Sequence, residues 1–106
     1  MRTAFHGDVI LIETDNFPTN LKPVSRNPKY DNAYILAEGE VTGHAHRIND
    51  EVELYEHNGT LYMRNLKDVT ITHEEHKPSV IPAGNWEIRI TKEYDFLSEE
   101  ARKVAD

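Results

Sequence analysis

Four of the six histidines in this chain stand in two tight pairs, His44-Ala45-His46 and His73-Glu74-Glu75-His76. A neutral imidazole nitrogen is a ligand for zinc, copper, iron and nickel, so such pairs are the chemistry to weigh first. On a strand, residues two apart point to the same face, which places the rings of His44 and His46 side by side. Gly43, just ahead of them, is expected to let the backbone approach closely. In the second pair, Val69, Ile71 and His73 share one face, so His73 follows two apolar residues inward. His76 has the opposite parity. It joins His73 if the chain turns near Glu75, and Pro78 makes a strand end there plausible; a helical turn would also bring residues three apart together.

The carboxylates between these histidines offer more. Glu75 is a candidate substitute ligand, or an acceptor that orients a ring N–H. With Glu74 it is also a candidate general base beside a metal-bound water. The bland reading of both is two exposed acids at a strand end. A lone histidine is usually a surface residue or a satisfied core residue, and the pairs could form a pH-sensitive polar cluster. Two same-face pairs in one small domain favour a shared divalent transition ion, and binding ahead of catalysis. Zinc leads, with iron, nickel or manganese open. Three protein ligands leave a catalytic position free, and four close a structural site. His6 and His57 read as surface residues.

These side chains must be positioned by strands, because period-two alternation dominates. Strands are expected at 8–14, at 52–56 and 60–64 around the Asn58-Gly59 turn, at 69–73, 79–81 and 86–92, and in one continuous run from the Tyr30–Ala37 approach to Ile48. Gly39 and Gly43 mark a bulge or a close approach within that run. Tyr55 and Tyr62 are set to pair across the hairpin. Residues 15–32 carry three prolines and four asparagines and read as a long loop with at most one helical turn. Ser98 can cap a short C-terminal helix with Glu99 and Glu100 in its first turn. The expectation is one all-β domain over 1–106, a small barrel or sandwich of cupin-like or SH3-like build.

Composition narrows the function classes. A net charge of -7 opposes nucleic-acid binding, which needs a basic stripe. The cationic stretch from Lys22 to Lys29 reads as a solvated loop. No apolar run spans a bilayer and no signal peptide is visible, so a cytoplasmic protein with no membrane partner is expected. With no cysteine, disulfides and thiolate sites are excluded. Stability must then come from the core, a metal, a ligand or a partner subunit. No phosphate loop or nucleophile elbow is present.

Two resemblances follow from the motifs. His44-Ala45-His46 followed by Glu51, with Pro82-Ala83-Gly84 later, is similar to the first motif of the cupins, small β-barrels that hold a metal through histidines and a glutamate. That resemblance implies His44, His46 and Glu51 as ligands; Glu87, turned toward solvent by strand parity, stands where cupins place their last histidine. Gly7-Asp8-Val9, the stretch from Ala37 to His46, His73-Glu74-Glu75-His76 and Pro82-x-Gly84 together resemble a set of short uncharacterised bacterial and phage proteins. That likeness implies no activity, but makes the two histidine motifs one unit. Two functions are open. One is a metal-binding domain using His44, His46, His73 and His76, with metal-assisted hydrolysis or small-molecule oxidation if it is an enzyme. The other is a non-enzymatic accessory module, such as a homo-oligomer, with structural histidines.

Overall fold

Alternation of inward and outward side chains builds ten short strands among the described residues. The computed structural model describes residues 2–39 and 43–90. The helix expected from Ser98 and the last residues of the final expected strand lie outside the described residues. In chain order the elements are β1 (Thr3–His6), β2 (Val9–Glu13), β3 (Lys22–Pro23), a 3-10 turn (Pro28–Tyr30), β4 (Tyr34–Glu38), β5 (Ala45–Ile48), β6 (Glu53–His57), β7 (Thr60–Asn65), β8 (Val69–Thr72), β9 (Ser79–Ile81) and β10 (Gly84–Ile90).

They form two antiparallel sheets, ordered β1-β2-β10-β7-β6-β3 and β4-β5-β8-β9. Among the described residues no pairing joins one sheet to the other, and the two sheets share one core. Val9, Leu11, Leu54, Met63, Trp86 and Ile88 from the first sheet meet Leu36, Ile48, Val69, Ile71 and Ile81 from the second. Burying apolar side chains of this size contributes about 1.5–3 kcal/mol each, which is how a chain without disulfides holds together. Buried Asn65 ties the sheets at one end. Its amide donates to the carbonyls of Lys67, Ile81 and Pro82.

Two corrections to the strand reading follow. The continuous run through Ile48 is two strands, β4 and β5, paired antiparallel with a register shift between Ile35 and Ala37. Where the two strands meet, the Gly39 amide donates to the His44 carbonyl at 2.7 Å. Residues 3–6 form a strand that the alternation did not reveal, because its apolar content is only Ala4 and Phe5. It pairs with β2 through the two-residue turn Gly7-Asp8. The Asn58-Gly59 turn forms as expected, with both residues at positive φ, and Tyr55 faces Tyr62. The long loop carries β3 and the 3-10 turn, and Phe17 packs against both tyrosines.

Candidate metal centre

The site begins where two core-facing rows run out of apolar residues. Along β5 and the residue just ahead of it the row is Ile48, then His46, then His44, passing from fully buried to half-buried. Along β8 and the residue just past its end it is Val69, Ile71, then His73. The strands pair with Arg47 opposite Thr72 and Ile48 opposite Ile71. One more step of that register sets His46 opposite His73, and their ring centroids are 4.5 Å apart. The chain turns after His73, and His76 comes back over the same spot. Its ring centroid lies 4.7 Å from His73 and 5.5 Å from His46, stacked on the latter. His44 meets His73 edge-on at 5.7 Å. The two histidine pairs are therefore one cluster.

A fifth ring completes it. The expectation for His6 as a surface residue is overturned: it is 2% exposed and lies 5.0 Å from His46, centroid to centroid. The signal available in the sequence was Gly7-Asp8, a turn that sends residue 6 back toward the sheet interior. His57 stays at the distant β6–β7 turn, 3.2 Å from the Asn58 side-chain nitrogen.

Hydrogen bonds fix where several protons sit. His6 Nε2 is 2.9 Å from the Lys77 carbonyl, which only accepts, so that nitrogen donates. A neutral His6 then accepts at Nδ1, and its neighbour there is His46 Nδ1 at 2.8 Å. His46 accordingly carries its proton on Nδ1 and a lone pair on Nε2. His73 is set differently: the Glu75 amide donates to its Nδ1 at 3.0 Å, so it must release that amide to offer Nδ1 to an ion. His44 Nδ1 is buried without a hydrogen-bond partner. Burial pushes the His46 pKa down to about 4, aided by the charge of His73 and opposed by Asp8. Burial also lowers that of His6, against the Lys77 carbonyl. Both rings are thus held neutral at pH 7, the form that binds metals.

Of the carboxylates, Asp8 comes nearest, its Oδ1 3.0 Å from His46 Nε2. It was not among the sequence candidates, since only the β1–β2 pairing brings it here. Glu75 Oε1 lies 3.8 Å from His44 Nδ1, and the side chain is exposed. Glu74 accepts from the Ala45 amide and pairs with Arg47; the amide bond is the main cause of its lowered pKa. Glu51, the ligand implied by the cupin resemblance, engages other residues. It pairs with Arg26 at 2.9 Å and accepts from the Tyr34 hydroxyl, and belongs to no ligand group among the described residues. Glu87, half-buried, meets Arg89 and Tyr62.

Two groups have ligand atoms mutually within 4.8 Å: His46, His73 and His76, and His44, His73 and Glu74. Nitrogens about 2.0 Å from a tetrahedral ion stand roughly 3.3 Å apart, so modest side-chain rotation closes the first group on one centre. Two glycines make room. A Cβ on Gly7 would stand 2.8 Å from His76 Nε2 and 3.0 Å from His46 Cε1; one on Gly39 would stand 3.3 Å from His73 Nε2. Gly43, expected to provide the close approach, has nothing within 4 Å of such an atom; its φ of +87° serves the turn instead. An open cleft of about 310 Å³ borders the cluster, lined by Tyr30, Asp31, Arg47, Asn49, Thr72, His73 and Glu74.

Fold and site together define a small all-β domain with histidine groups that could hold a metal ion. The chain belongs to the family described as Domain of unknown function (DUF8820), which matches residues 5–91 and so takes in every histidine of the cluster. Comparison with curated proteins and with solved structures yields no match. No helix among the described residues is long and apolar enough to cross a membrane.

Proposed function

We propose that this domain binds a divalent transition ion, zinc in the first place, through His46, His73 and His76, with His44 at the rim. The observation that carries the reading is that three imidazoles from two segments offer nitrogens within 4.8 Å of one another. Supporting it, the most buried of the three is held neutral. His46 is buried, and a buried neutral imidazole whose lone pair lacks a donor carries a cost that a bound cation removes. An all-nitrogen, sulfur-free set suits zinc, iron(II) and nickel. The cleft beside His73 gives a small molecule access to such an ion.

Protein purified without an affinity tag and analysed for metals tests this. The expected result is about one ion per chain, lost in the His44→Ala/His46→Ala double variant. Chelator should then lower the melting temperature, because an ion bound only by the native state at a hundredfold excess over Kd stabilises by about 2.7 kcal/mol. Absence of metal, with melting unchanged by added zinc or chelator, would refute the reading.

A further inference from the structure

We propose that Asp8 is an anionic ligand of the histidine-bound ion, and that His6 is the positioning residue that keeps the His46 Nε2 lone pair turned toward it. The inference rests on the metal-binding reading above and adds two residues to it.

The argument runs along one line of atoms. The Lys77 carbonyl accepts from His6 Nε2 at 2.9 Å. His6 Nδ1 therefore accepts from His46 Nδ1 at 2.8 Å. His46 Nε2 is left with a lone pair, and 3.0 Å away stands Asp8 Oδ1, a carboxylate oxygen. Two acceptors at hydrogen-bond distance repel unless a cation lies between or beside them. A divalent ion meets that need and uses both groups as ligands. The pattern also matches how metal-bound histidines are held: the ring nitrogen away from the ion donates to a fixed acceptor, which sets the tautomer. Here that acceptor is another imidazole, itself set by a backbone carbonyl.

The backbone is shaped for this contact. Gly7 sits at φ +60° in the first position of a two-residue turn, where glycine has no steric penalty. That turn presses against His76 and His46 so closely that a Cβ would collide with both rings. Asp8, the next residue, is thereby delivered to the open side of His46. Asp8 thus stands beside the group of His46, His73 and His76 and meets it at His46, so that with Asp8 the donor set is nitrogen plus carboxylate.

Two measurements test the proposal. Long-range proton–nitrogen NMR on the wild-type, metal-free chain reads the His46 tautomer directly; the expected result is a proton on Nδ1 and a bare Nε2. His6→Phe should abolish that preference and His6→Gln, which can still accept and donate, should keep it. A proton on Nε2 in the wild type, as the neutral ring or as imidazolium, overturns the relay whatever the variants do. Cobalt(II) titration followed by its visible spectrum then tests Asp8. Asp8→Asn is expected to weaken binding by roughly tenfold to a hundredfold and to alter the band positions. An unchanged affinity and spectrum in Asp8→Asn, with wild type binding one cobalt, overturns Asp8 as a ligand and leaves the metal reading standing. No cobalt or zinc binding by wild type overturns both.

Discussion

Two hairpin turns in the first sheet begin from similar local chemistry and end in different roles. Gly7-Asp8 joins β1 to β2, and Asn58-Gly59 joins β6 to β7, each by two residues with glycine at positive φ. A Cβ on Gly59 would meet nothing within 4 Å, whereas one on Gly7 would strike His76 and His46. Each turn has a histidine on its N-terminal side: His57 is solvent-facing company for Asn58, and His6 is buried against His46. The lesson is that turn type is a local property, while the use of a turn depends on what the rest of the fold places over it.

The largest separation between the turns should come from glycine replacement. Gly59→Ala is expected to lose about 1 kcal/mol from its left-handed backbone and to leave metal binding unchanged. Gly7→Ala carries the same backbone strain and must also displace His76, so zinc affinity should fall by roughly tenfold or more. Calorimetric titration of both variants checks this; equal zinc affinities would erase the proposed difference.

Acid should distinguish the two ends next. In the metal-free chain the His46 pKa lies at about 4, below the ordinary 6.5. Between those values the unfolded chain takes up more protons than the folded one, so the stabilising contribution is complete above 6.5 and is lost as pH falls toward 4. Melting temperature measured in chelator should drop across that window. His46→Gln should flatten the drop, and His57→Gln should leave the curve as it is. Parallel curves for wild type and His46→Gln would show that burial of this ring does not set the acid sensitivity.

The smallest effect is expected at Glu51. Its pairing with Arg26 is solvent-exposed, and such pairs contribute little. Glu51→Gln should change neither metal content nor melting temperature by more than a minor amount. Loss of the ion in this variant would restore the cupin-like ligand set and remove Asp8 from consideration.

By itself the sequence determined the strands with strong alternation, the Asn58-Gly59 hairpin and the inward direction of Val69, Ile71 and His73. These depend on parity and turn chemistry, which act over a few residues. It also marked His44, His46, His73 and His76 as candidates worth joining. Only the tertiary structure decided that β4 and β5 fold back on each other, that β5 pairs with β8 so that His46 faces His73, and that β1 carries His6 inward. The same pairing brought Asp8 to His46, while Glu51, equally acidic and much nearer in sequence to His46, went to Arg26. The physical reason is that a ligand set is defined by distances across strands. Those distances follow from sheet register and packing over the whole core, and local spacing along the chain does not contain them.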